Sequence, residues 1–148
     1  MMIYLMVCAL QSIFPVEAVG PKIEGRGTAI DARSIQIGDA VVQLDRIELP
    51  SADAMCLASG QQTNCRVAGR LELDAALRYG PVQCRFVENA ATRAHCVVWA
   101  DDDHIYAPLH LDAMLIKQGL VRAAPDSEWL AAEDDAKVNK RGMWAFED

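Results

Sequence analysis

The sequence predicts an α+β domain: a five-stranded β-barrel joined to three helices. Two patterns point there. From residue 22 to 100, short runs of alternating apolar and polar residues are separated by Gly, Pro and Asp turn signals, with one helical run after the third. From Leu111 onward the pattern becomes a short helix, a connection, a longer helix and an aromatic stop at Trp144. The length of 148 residues fits one domain with a real core.

The first 18 residues stand apart. Met1 to Leu10 is apolar, and Val16-Glu17-Ala18 has the small-x-small form of a cleavage site. This reads as a secretory signal peptide, leaving one domain over 19–148 in an exported chain, periplasmic or secreted. Cys8 follows Leu5-Met6-Val7, a poor lipobox, because a small residue is wanted before the cysteine. No run of about 20 apolar residues follows, so the mature chain is expected to carry no membrane span.

Lys22 to Ile30 is the first expected strand and Ser34 to Ile37 the second, closed by the Gly38-Asp39 turn. Ala40 to Ile47 is the third, with Val42 and Leu44 inward by period two, and Pro50 ends it. Ser51 to Asn64 reads as loop. Cys65 to Tyr79 reads as a helix capped by Asn64 or Thr63, with Val67, Leu71 and Ala75 on one side and Leu73 and Leu77 flanking. Gly80-Pro81 stops it. Val82 to Val87 and His95 to Ala100 make a hairpin of strands four and five. Three strands, a helix, then two strands is the order of an OB-fold barrel.

In the last third, Leu111, Met114, Leu115 and Gln118 fall at helical spacing before Gly119. A longer helix is expected to start at Asp126 or Ser127 and to end through Lys137, Lys140 and Arg141 at Gly142. Trp144 then folds back to close the core. Trp99 and Trp129 are also expected on buried faces.

Beyond the leader there are four cysteines, Cys56, Cys65, Cys84 and Cys96. An even count in an exported chain reads as two disulfides. Cys84 and Cys96 lie on a hairpin, and Cys56 and Cys65 flank a short polar segment, so 56–65 and 84–96 is the favoured pairing of three. Each would contribute ~2–3 kcal/mol in the chain-entropy model. A four-cysteine zinc site is disfavoured, because there is no C-x-x-C knuckle.

The segments Arg93 to Trp99, Leu111 to Val121 (LDAMLIKQGLV) and Arg141 to Trp144 (RGMW) resemble the C-terminal half of the staphylococcal, thermonuclease-type nuclease family. Asp112 stands where that pattern usually has Asn. The resemblance implies an OB barrel with three helices and raises the question of calcium-dependent phosphodiester hydrolysis. The segment Ala29 to Ser51 (AIDARSIQIGDAVVQLDRIELPS) aligns without a gap to the family's D-G-D-T, V-R-L and D-x-P-E pattern. By that resemblance the calcium-binding Asp is Arg33, the phosphate-clamping Arg is Gln43, the Asp of D-x-P-E is Glu48, followed by Leu49, and the general base is Ser51. Arg93 matches the second phosphate-binding arginine. Asp31 and Pro50 match positions that are mainly structural.

These replacements remove the chemistry that the resemblance implies. Hydrolysis by that route needs a divalent cation to neutralise gathering negative charge. Calcium takes six to eight oxygen ligands. Arg33 brings a cation where one should bind, and Glu48 with nearby Asp31 is a thin remnant. A missing general base costs about 10²–10⁴-fold. A missing phosphate clamp costs on the order of 10³-fold. No metal is therefore expected at Arg33, Glu48 and Leu49, and Arg33 is expected to pair with Asp31 or Glu48. Calcium is the cofactor only if the chain is a working nuclease.

Other candidates have plain readings. His95, His104 and His110 show no ligand spacing and read as surface or turn residues. Asp101-Asp102-Asp103 reads as a solvated turn without the spacing of a calcium loop. The formal charge of −7 weighs against strong nucleic-acid binding. The expected function is a binding or structural module of nuclease ancestry, with a calcium-dependent nuclease of rearranged ligands as the alternative. A third reading is binding of single-stranded nucleic acid or oligosaccharide on the barrel face. The sequence names no partner.

Overall fold

The computed structural model describes residues 20–87, 90, 92–100 and 107–147. The expected signal peptide at 1–18, the acidic run 101–103 and His104 lie outside the described residues. In chain order the elements are β1 (Lys22–Gly25), β2 (Gly27–Ala29), β3 (Ser34–Ile37), β4 (Ala40–Leu44), β5 (Ile47–Glu48), β6 (Met55–Ala58), β7 (Gln61–Asn64) and α1 (Cys65–Leu77). Then come β8 (Val82–Phe86), β9 (Arg93–Val98), β10 (Leu109–His110), α2 (Leu111–Lys117), β11 (Arg122–Ala123) and α3 (Leu130–Val138), with a 3₁₀ turn at Met143–Ala145.

Among the described residues the fold is α+β: a mixed sheet with three helices. The sheet runs β1-β8-β9-β4-β3-β2, and β10 adds to β9. Its pairs are antiparallel except β4 with β9. The hydrogen-bonded path is open, with β1 and β2 at its ends. The first expected strand is thus split at Arg26, one half pairing with β8 and the other with β3. Gly27 lets the chain into this corner: a Cβ there would stand 2.9 Å from Ile35 Cγ2 and 3.0 Å from Val82 Cγ1.

The third expected strand is also shorter. Val42 and Leu44 point inward and are fully buried, as period two predicts. Arg46 then takes a left-handed conformation (φ 57°), and the chain leaves β4 for β5, which pairs with β11. The segment 51–64, expected as loop, contains the β6–β7 hairpin. Its turn residues Ser59 and Gly60 have φ 52° and 76°, which suits a two-residue hairpin. Gln61–Asn64 has no buried residue, so it carries no alternation to read.

Asn64 caps α1, accepting from the backbone N–H groups of Arg66 and Val67. The helix ends at Leu77, short of Tyr79, and its buried face is not the expected one. Cys65, Ala68, Gly69, Leu73, Ala76 and Leu77 are buried, whereas Val67 and Leu71 are exposed. Two constraints set this rotation. Cys65 is bonded to Cys56, and Gly69 packs so closely on Ala32 that a Cβ would sit 2.7 Å from its Cβ.

Both expected disulfides are present, Cys56–Cys65 and Cys84–Cys96. Cys84 and Cys96 are direct cross-strand partners on β8 and β9. Gly119 (φ 72°) follows α2 as expected. α3 starts later than expected, at Leu130, because Ser127 caps only a turn, its Oγ accepting from Trp129 N–H at 3.0 Å. Trp144 is buried and closes the core beside Gly119; Trp99 and Trp129 are only half-buried. No helix among the described residues is long and apolar enough to cross a membrane.

Candidate functional site

The positions singled out by the nuclease-like pattern separate into two groups. Gln43 at the end of β4 and Arg93 at the start of β9 are register partners. Gln43 N–H donates to the Thr92 carbonyl at 2.7 Å, and Asp45 N–H to the Ala94 carbonyl at 3.0 Å. Arg33 joins them: its Nε donates to the Leu44 carbonyl at 3.4 Å. Asp31 does not pair with that guanidinium. Its Oδ1 accepts the backbone N–H groups of Arg33 and Ser34, both at 2.8 Å, which shapes the turn into β3. The expected pairing of Arg33 with Asp31 or Glu48 is therefore replaced by a bond to a main-chain carbonyl.

Glu48 is exposed on β5 and Leu49 is half-buried beside it. Pro50 is buried, and its carbonyl accepts from Arg66 Nε at 2.8 Å. Ser51 is exposed. Among the described residues no hydrogen bond or ion pair links Glu48 or Ser51 to Gln43 or Arg93. Arg93 is itself engaged: its Nη1 lies 3.5 Å from Asp45 Oδ1, while Arg46 Nε lies 3.4 Å from Asp45 Oδ2.

A second cluster lies beyond Asp45. His95 Nδ1 lies 3.3 Å from Asp112 Oδ2. His95 Nε2 faces His110 Nδ1 at 2.9 Å. Trp129 Nε1–H donates to Asp112 Oδ2 at 2.9 Å, and Ala113 N–H to Asp112 Oδ1 at 2.8 Å. The His110 ring lies between those of His95 and Trp129, at centroid distances of 5.1 and 5.2 Å.

The fold explains this meeting. His95 stands two residues along β9 from Val97, so the two share a face, and Val97 pairs with His110 on β10. The chain enters α2 directly after His110, which puts Asp112 in the first turn. The hydrogen bond to Asp112 raises the His95 pKa, against the opposing pull of burial. Burial pushes Asp112 up, but its bonds from His95, Ala113 and Trp129 outweigh this and hold it below the usual carboxylate value.

An open cavity of about 760 Å³ adjoins the cluster. Its lining includes Asp45, Arg46, Arg85, Phe86, Glu128 and Trp129 with both histidines. Asp45 thus lies between Arg93, with which it pairs, and the cavity that it helps to line.

The reading of His95 and His110 as surface or turn residues is corrected by this geometry; they are half-buried and bonded to each other. The signal available in the sequence was the pair His110-x-Asp112 at the strand-to-helix junction, together with a period-two face on β9 carrying Arg93, His95 and Val97. The separation of 15 positions between the histidines hid it.

No family model matches the chain, and no match among curated proteins was found.

Proposed function

We propose that the chain is an exported module of the staphylococcal-nuclease type that has lost calcium-dependent phosphodiester hydrolysis and serves in binding or structure. One observation carries this reading. Gln43 and Arg93, the two positions where the nuclease pattern has arginines, lie side by side, yet only one is cationic and it is held by Asp45. Arg33 adds a positive charge where that pattern has a calcium ligand, and Ser51 has no basic group to offer. The order of strands and helices supports the kinship. A five-stranded OB barrel fits the open sheet path, because its two end strands, β1 and β2, are separated along the chain by Arg26 alone.

Export is supported by the two disulfides, which persist in oxidising compartments. The competing reading, a calcium-dependent nuclease, keeps Arg93 and little else. Calcium binding separates the two. A ligand that binds only the folded state raises its melting temperature. Under the proposed reading millimolar calcium leaves the melting temperature unchanged; a calcium-dependent rise overturns it.

A further inference from the structure

We propose that His95 and His110 bind a single zinc-class divalent ion, with Asp112 orienting His95 from behind. The imidazole nitrogens His95 Nε2 and His110 Nδ1 face each other at 2.9 Å. Two nitrogens so placed share either a proton or an ion. Tetrahedral zinc with bonds of ~2.0–2.1 Å holds two nitrogens about 3.3 Å apart. An ion therefore enters when the nitrogens part by about a few tenths of an ångström and both rings turn so that their lone pairs meet at the ion rather than along the N···N line. Both rings are half-buried at the wall of an open cavity rather than locked in the core, so this movement is available.

The surroundings have the form that metal sites use. A metal-bound histidine hands its other ring N–H to a carboxylate, which fixes the tautomer and makes the ligating nitrogen more basic. His95 Nδ1 faces Asp112 in this way, at 3.3 Å. Asp112 is in turn held by Trp129 Nε1 and Ala113 N–H. Donor atoms from His95, His110 and Asp112 lie within 4.8 Å of one another. The cavity gives an entry path and room for water in the remaining coordination positions, and Asp45 and Glu128 on its wall balance the charges of Arg46 and Arg85. The four cysteines Cys56, Cys65, Cys84 and Cys96 are in disulfides and do not compete for the ion. This site is separate from the calcium-type positions, and it stands or falls independently of the nuclease kinship.

The test uses the untagged, disulfide-intact full chain, stripped with a chelator and dialysed. Zinc chloride is titrated calorimetrically, and cobalt(II) is followed by its visible absorbance. One ion per chain is expected, with the absorbance of a tetrahedral site. His95→Ala and His110→Ala are expected to abolish binding. Asp112→Asn is expected to weaken it by about 10–100-fold. Glu48→Ala, at a calcium-type position, is expected to leave it unchanged. Imidazole nitrogen resonances of the unmodified protein provide a readout that needs no variant: those of both histidines shift on adding one equivalent of zinc. Failure of the unmodified protein to bind zinc, or zinc binding that leaves these resonances in place and survives both histidine substitutions, overturns the proposal.

Discussion

Gln43 and Arg93 are register partners across the parallel pair of β4 and β9, and Asp45, two residues past Gln43, lies 3.5 Å from the Arg93 guanidinium. A phosphate approaching this edge meets one neutral amide and one guanidinium that already faces a carboxylate. Clamping a phosphate between two cations needs both to be charged and available. Under the proposed kinship, this pair explains why a retained backbone frame does not retain the reaction.

Under the same proposed kinship, Arg33→Asp alone is expected to give no calcium-dependent cleavage, because Gln43 and Ser51 would still lack the clamp and the base. Arg33→Asp, Gln43→Arg, Glu48→Asp and Ser51→Glu together return all four groups, and activity above background is expected from that set only. Cleavage of labelled DNA by the single variant would contradict this assignment of roles.

Asp112 is buried and accepts from Trp129 Nε1, Ala113 N–H and His95. Asp112→Ala takes the acceptor away from a buried backbone-and-side-chain cluster whose donors only the cavity side can rehydrate. The expected loss is about 1–3 kcal/mol, read as a lower urea midpoint at unchanged slope. Asp112→Asn keeps an acceptor oxygen and is expected to lose less. Equal losses for the two variants would mean that the donors find other partners.

Much of the fold was legible in the sequence because punctuation and periodicity agreed there. Asn64 as helix cap, Gly119 after α2, Val42 and Leu44 inward, and both disulfides all follow from local rules. What was not legible depends on packing. The buried face of α1 is set by Gly69 against Ala32 and by the Cys56–Cys65 bond, neither of which enters a count of apolar residues at helical spacing. The β6–β7 hairpin has a polar second strand with no buried residue, so no alternation marked it. The histidine cluster joins two strands and a helix start, and only the β9–β10 register brings its members together.

Gly69→Val tests the rotation of α1. A side chain there drives into Ala32, and overpacking of this kind costs about 1–3 kcal/mol. Adding Ala32→Gly is expected to recover part of the loss, since contacting positions couple. A neutral Gly69→Val would mean that α1 has room to turn.

Asp74 ties α1 to the sheet by accepting the Ala29 backbone N–H at 3.1 Å, and it also pairs with Arg78. The backbone bond, then Arg78, hold its pKa below the ordinary aspartate value. Its contribution to stability is therefore present above that value and is lost as pH falls through the lower folded-state pKa. The stability difference between the unmodified protein and Asp74→Asn is expected to be constant near neutral pH and to shrink as pH drops below about 4. Urea melts across that range check it; a difference that grows on acidification would reverse the sign.

The most direct measurement is cleavage itself. The unmodified, disulfide-bonded protein is incubated with labelled single-stranded DNA, duplex DNA and RNA, with calcium and with chelator. The expected result is a folded protein whose products with calcium match the chelator control on all three substrates. Calcium-dependent cleavage that disappears in Arg93→Ala would contradict the account and make the chain a working nuclease.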